Sequence, residues 1–157
     1  MPAIIAKDAA QQLYRAIFAK LTGDEELRTM IGGTPEEPRV YQSAVDFDSA
    51  AALKDKTWIT FNSVSDHPSE AEQTQDIRDI ILDVHIWRRG PGSDNAEEAE
   101  LRVRELLDNA IDLGGLAKEL LVLKCLAVGY FKTYEAQGGL WHITSTYDIT
   151  CMAQRQV

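Results

Sequence analysis

The sequence predicts an α+β fold, a two-layer sandwich in which two principal helices pack on one face of a mainly antiparallel sheet. Apolar residues recur at helical spacing in two segments, Asp8–Leu21 and Asp94–Leu113. Elsewhere apolar and polar residues alternate with the period of two that marks a half-buried strand. This alternation leaves one face of the sheet solvated, which is typical of antiparallel sheets, and the helices would cover the other face.

The first quarter of the chain indicates two helical segments and a short strand. Leucine and isoleucine recur every four residues in Asp8–Leu21 and form one apolar stripe. Asp24 can cap a second short helix over Leu27–Ile31, and the glycine pair that follows would end it. After a proline-containing loop, Arg39–Gln42 is expected to form a short strand.

Two longer strands are predicted next, joined as an extended hairpin. The first is Thr57–Val64 and the second is Ile77–Arg88. The segment Ser65–Gln75 is polar and acidic, so we expect it to be the connection between them. The apolar side of the second strand consists of four residues at period two: Ile80, Leu82, Val84 and Ile86.

The last part of the chain predicts a helix and a second hairpin. The helix Asp94–Leu113 begins with a capping box, in which its first residue is followed three positions later by Glu97. Two strands follow, Leu121–Tyr134 and Leu140–Met152. The turn Gln137–Gly139 between them contains two glycines, which favours antiparallel pairing of these strands.

Size and composition are those of a single globular domain. The chain has 157 residues, of which 45% are hydrophobic and 26% charged. A chain of this size buries roughly two thirds of its unfolded surface without a metal or disulfide. We therefore predict one domain, 1–157, with a core at about 8–152 and short flexible ends. Cys125 and Cys151 are expected to be reduced and to pack as apolar side chains, and a disulfide is the alternative.

The charge of the chain argues against two kinds of partner. A net charge of −9 does not suit a surface that binds nucleic acid through its phosphates, or one that docks on an anionic membrane. DNA could pass such a protein without specific binding. The segment Met1–Lys7 is too short for a secretory signal, and the charged residue Lys7 follows too early. No apolar run is long enough to span a bilayer. We expect a soluble protein that is not secreted.

Two histidines are the best candidates for a metal site. His85 and His142 lie on the polar faces of strands that could pair, with Asp83 and Asp148 on the same faces. A site of two histidines and two aspartates is therefore conceivable. The sequence contains no close-spaced pair of ligands to support it, and exposed histidines on a polar strand face are the preferred interpretation. We predict no metal and no organic cofactor.

No segment has the pattern of an enzyme active site. There is no Gly-x-Ser-x-Gly turn, no phosphate-binding loop in which Lys and Ser or Thr follow the glycines, and both cysteines fall on apolar strand faces. We predict that the protein is not an enzyme. Trp87, Arg88 and Arg89 form a basic spot beside an aromatic ring, and we take them as candidate protein-contact residues. The alternative is that they simply end a strand.

The order of the elements resembles a known family. Six segments carry the resemblance, in this order: Leu13–Ile17, Arg39–Tyr41, Trp58–Phe61, Leu82–Trp87, Val103–Leu107 and His142–Thr150. Together they are similar to the tail-completion or tail-terminator proteins of long-tailed bacteriophages and prophages. The likeness extends over roughly Leu13–Cys151.

The resemblance implies a structural role without catalysis. Members of this family form a ring, commonly a hexamer, on the head-proximal end of the tail tube, where they stop polymerisation and present a surface to the head or neck. The implied partners are further copies of the chain, the tail-tube protein and the neck or head-completion proteins. The implied location is the virion tail, and the host cytoplasm during assembly. Two alternatives remain open: another neck or head–tail joining protein of a phage, and a small-molecule-binding α+β domain.

Overall fold

The computed structural model of the protein describes residues 9–42, 56–68, 77–115, 120–136 and 139–153. Within these ranges the helices are α1 (Ala9–Thr22), α2 (Glu25–Ile31) and α3 (Asp94–Leu107), and a 3-10 helix covers Ile111–Gly115. The strands are β1 (Val40–Gln42), β2 (Thr57–Pro68), β3 (Ile77–Arg89), β4 (Leu120–Glu135) and β5 (Leu140–Ala153). They form one sheet in the order β1-β2-β3-β5-β4. The β1–β2 pair is parallel and the other three pairs are antiparallel, which confirms the predicted α+β class.

The helices pack on the face of the sheet that the alternation predicted. The apolar residues that were expected to line β3 are fully buried: Ile80, Leu82, Val84 and Ile86. They share one hydrophobic cluster with Leu13 and Ile17 of α1 and with Val103 of α3. We call this side of the sheet the helix face and the opposite side the outer face.

The predicted cap of α2 is confirmed. The backbone N–H of Leu27 donates to Asp24 Oδ2 at 2.8 Å, and Gly32 ends the helix with a φ of +71°. Asp24 also accepts two hydrogen bonds from Arg102 of α3, at 2.7 and 2.9 Å. These bonds lower the pKa of Asp24 below its ordinary value. The Asp24 side chain therefore caps the N-terminus of α2 and links this helix to α3.

The prediction for the start of α3 is wrong in one respect. Ser93 is the N-cap residue and makes no side-chain cap bond, and Asp94 lies inside the helix. Asp94 and Glu97 therefore do not form a capping box. Both carboxylates still lie in the first turn, where they interact favourably with the positive end of the helix dipole.

The predicted helix Asp94–Leu113 is six residues too long. α3 ends at Leu107, and Asp108 is already extended, with φ −68° and ψ 126°. Asn109 then adopts a φ of +59° and donates its backbone N–H to the carbonyl of Cys125 at 2.7 Å. This hydrogen bond to β4, which is distant in the sequence, forms in place of the next turn of α3.

The predicted connection Ser65–Gln75 begins too early. β2 continues to Pro68, and Ser65–Pro68 pair with β3 beyond a bulge at Val64. Asp66 forms an ion pair with Arg78 on the opposite strand at 2.8 Å. Polar residues extend this strand because backbone pairing and cross-strand contacts with β3 hold it. The remainder of the predicted connection, residues 69–75, lies outside the described residues.

The C-terminal hairpin is confirmed, with β4 antiparallel to β5 over its length. Residues 137 and 138 of its predicted turn lie outside the described residues. Cys125 and Cys151 are buried and unbonded to each other, as expected for packed thiols. Burial raises the pKa of Cys125 to about 12, so it stays protonated and unreactive. None of the helices in the described ranges is long and apolar enough to cross a membrane.

Candidate protein-contact surface

Trp87 is fixed in an aromatic cluster on the outer face of the sheet. Its ring stacks on His142 with centroids 3.7 Å apart and planes at 6°, and it lies 6.3 Å from the ring of Trp58. Its indole N–H donates to Thr60 Oγ1 at 3.0 Å. This packing gives a partner a rigid, half-buried aromatic surface rather than a mobile side chain.

The two arginines beside Trp87 point to opposite faces of β3. Arg88 faces the helices and donates to Thr57 Oγ1 at 3.3 Å. Arg89 lies on the outer face opposite Leu140, and its Nε is buried without a hydrogen-bond partner among the described residues. Neither guanidinium forms an ion pair within the described part of the chain. The three predicted contact residues are therefore split between two faces, and their contact role stays a prediction.

The two histidines of the conceivable metal site do meet. His85 Nδ1 lies 2.8 Å from His142 Nε2 on the outer face. The aspartates do not join them, because Asp83 accepts a hydrogen bond from a threonine and Asp148 forms an ion pair with Lys124 at 2.9 Å. Among the described residues, no group of three or more His, Cys, Asp or Glu side chains is placed to hold a metal ion.

The hydrogen bonds of the histidine pair define its tautomers. His85 Nε2 lies 2.9 Å from Asn62 Oδ1, which only accepts, so this nitrogen carries the hydrogen. His85 Nδ1 is then the acceptor for the N–H of His142. Burial lowers the pKa of His85, and burial together with the neighbouring His85 lowers the pKa of His142 to about 4. The pair is therefore neutral at pH 7.

We expect this pair to make folding stability depend on pH. The unfolded chain binds a proton at His142 below pH ~6.5, whereas the folded chain binds it only near pH 4, so stability falls as the pH drops through this window. The loss should be on the order of 1 kcal/mol after solvent screening, because His142 is only half-buried. His142→Gln should flatten the pH dependence of urea unfolding between pH 7 and 4, and the exposed His67→Gln should not. Equal pH profiles for the two variants would contradict this assignment.

The exposed side of β4 forms a second candidate surface. The alternation of apolar and polar residues did not predict it. Leu121, Leu126 and Phe131 lie opposite residues of the outer face of β5, and Leu123 and Val128 are extra residues inserted at two bulges. All five are exposed. We call them the β4 outer row: Leu121, Leu123, Leu126, Val128 and Phe131. The sequence signal for it is that apolar residues occupy both odd and even positions of β4, more than one buried face requires.

A shallow depression beside α3 offers little to a small molecule. It is lined by Leu101, Arg104, Glu105 and Asp108 and has a volume of about 260 Å³. Ligand sites usually enclose ~300–1,000 Å³ and are mostly apolar. This surface therefore does not favour the small-molecule-binding alternative.

A family model matches residues 15–151, most of the chain, and it describes structural proteins that complete phage tails. The family is that of the tail completion protein gp17, and the chain belongs to it, which confirms the resemblance found in the sequence.

The fold is similar to that of a chain in the solved structure "Virion of native gene transfer agent (GTA) particle". The TM-score is 0.71 with 12% sequence identity, and the likeness covers 94% of this chain and 99% of that one. At this identity the likeness shows the shared fold alone. A comparison with curated protein sequences returns no match.

Proposed function

We propose that the protein is a tail terminator, which caps the head-proximal end of the tail tube as a closed ring of identical copies, six in number. The observation that carries this proposal is membership of the tail completion family over residues 15–151. The ring would stop polymerisation of the tube and become part of the head–tail connection. Its partners would be the tail-tube protein and the neck or head-completion proteins, and it would act by binding alone, without catalysis or a cofactor.

The charge of the chain supports this role. A ring on the tail tube surrounds the path of the DNA, and a chain with a net charge of −9 offers few sites that would hold phosphates. DNA would then slide through without specific binding. The protein would assemble in the host cytoplasm and remain in the virion tail.

We also propose that the whole chain acts as one structural domain. A single hydrophobic cluster includes residues of all three helices and all five strands. Such a unit suits a ring subunit, because contacts made at one edge of the sheet are then connected rigidly to the rest of the molecule.

Trp87, Arg88 and Arg89 are proposed to contact another protein of the particle. A rigid tryptophan and an arginine are the residue types that most often dominate protein interfaces. An arginine can pair with a carboxylate through two N–H donors, and this is the contact that we assign to Arg88 and Arg89.

Deletion of the gene from an inducible prophage tests the function. We expect heads without joined tails, together with tails of overlong or irregular length, in electron micrographs of the lysate. Expression of the protein from a plasmid should restore normal particles. Tails of normal length beside unjoined heads would instead support a head–tail joining protein, and normal infectious particles would refute both structural roles.

A further inference from the structure

We propose that the β4 outer row is the surface through which one copy of the chain contacts the next. This inference rests on the proposed ring, since only a ring requires copies to meet in the particle. The row consists of five apolar side chains on one edge of the sheet, and the occupant that we assign to it is a second copy of the same chain.

The β4 outer row exposes a large apolar area. The side chains of the row are between 37% and 65% exposed, the highest value being that of Phe131. At these exposures, four aliphatic side chains and one phenylalanine present roughly 300–500 Å². Patches of this size on a soluble chain are often functional. If the facing copy contributes a similar area, the contact buries about 600–1,000 Å², the size of a weak interface.

The neutral character of the β4 outer row suits contact between two acidic chains. Two chains of net charge −9 repel each other, and the repulsion is smallest where a surface is neutral. The row itself is uncharged. Lys124, which lies between Leu123 and Leu126 on β4, is paired with Asp148 of β5 at 2.9 Å. The row is therefore a place where two copies can approach without bringing like charges together.

β4 is an edge strand, paired only with β5 among the described strands. Bulges at Leu123 and Val128 interrupt its regular ladder. Bulged edges disfavour open-ended strand pairing. Contact through side chains is then favoured, and it closes into a ring when the facing surface is a different part of the next copy.

A small contact of this kind explains how a ring can form only at its target. An interface near the lower size limit is weak between two free copies. On the end of the tail tube each copy is held beside its neighbours, and the same contact then acts at high effective concentration. The free protein is accordingly expected to be monomeric when dilute.

The chain offers a matched pair of positions for the test. Val128 and Val64 are both valines inserted at bulges, with exposures of 58% and 60%, but only Val128 belongs to the β4 outer row. A photo-crosslinking amino acid, p-benzoylphenylalanine, is placed at each position in turn, and tails purified from the complemented deletion strain are irradiated. We expect covalent dimers of this chain from position 128 and none from position 64.

Glutamate substitutions give a second readout. Val128→Glu should lower the infectious titre on the order of 100-fold, because it places like charges in an apolar contact, whereas Val64→Glu should leave the titre unchanged. Both variants should melt at the wild-type temperature, since both positions are exposed.

The outcomes separate this inference from the proposed function. If tails require the protein but position 128 crosslinks only to another protein, or both positions give the same adducts, the assignment of the row is wrong and the terminator function stands. If deletion leaves particles normal, the function itself fails.

Discussion

Glu100→Ala should lower the free energy of unfolding by about 3 kcal/mol. Glu100 lies on α3 and is 1% exposed. Its carboxylate accepts hydrogen bonds from Arg104 at 2.6 and 3.0 Å and from the hydroxyl of Ser145 on β5 at 2.8 Å. Alanine would leave a buried hydroxyl and a guanidinium without their acceptor. The loss falls at the lower end for a buried pair because the side chain of Arg104 is 41% exposed.

A carboxylate on the same helix provides the control. Glu98 is exposed and lies two residues away, so Glu98→Ala should change stability by less than ~0.5 kcal/mol. Urea unfolding at pH 7, followed by circular dichroism, measures both values. Glu100→Gln keeps the size of the side chain and should fall between the two. Similar losses for the two alanine variants would show that the buried carboxylate does not hold α3 to the sheet.

Elements with one buried face could be predicted from the sequence. In β3 and β5 the side that meets the helices is buried and the other side is mostly only half-buried, so apolar residues recur at every second position. α1 buries one stripe, and its apolar residues recur every four positions. In each case the burial of one face requires apolar residues at the period of that element, and this period is visible in the sequence.

Features set by distant contacts could not be predicted. α3 ends where Asn109 turns to donate its N–H to Cys125, and nothing near Asn109 in the sequence indicates that bond. Ser65–Pro68 form a strand because β3 pairs with them, although their own composition is that of a loop. The bulges of β4 change which side chains face outward, and a strict period of two misses them.

The candidate surfaces show the same difference between features that strand alternation predicts and features that it does not predict. Strand alternation predicted that His85 and His142 share a polar face, and β3 and β5 do bring them together. Alternation could not show that the aspartates on that face bind other partners, since those choices depend on side-chain geometry. A contact between copies is harder still, because only exposure in the folded chain distinguishes the β4 outer row from core.

Phe61→Ala should be among the most destabilising substitutions, and Phe131→Ala among the least, although both remove the same atoms from one sheet. Phe61 of β2 is fully buried and lies with its ring 6.3 Å from that of Tyr14, so alanine leaves a cavity and costs about 3–5 kcal/mol. Phe131 is 65% exposed, and its removal should change the free energy of unfolding by less than ~0.5 kcal/mol. Urea unfolding of the two variants measures this difference.

The two variants should also differ in why they fail to support tail assembly. A plasmid copy of Phe61→Ala should rescue the deletion strain poorly because little folded protein accumulates, as a western blot of the soluble fraction would show. Phe131→Ala should accumulate normally and still rescue poorly, because it removes the most exposed member of the β4 outer row from the contact between copies. Full rescue by Phe131→Ala would show that this side chain is not required for assembly. Loss of folded Phe131→Ala protein would instead show that Phe131 supports the monomer, so its exposure could not be explained by a contact between copies.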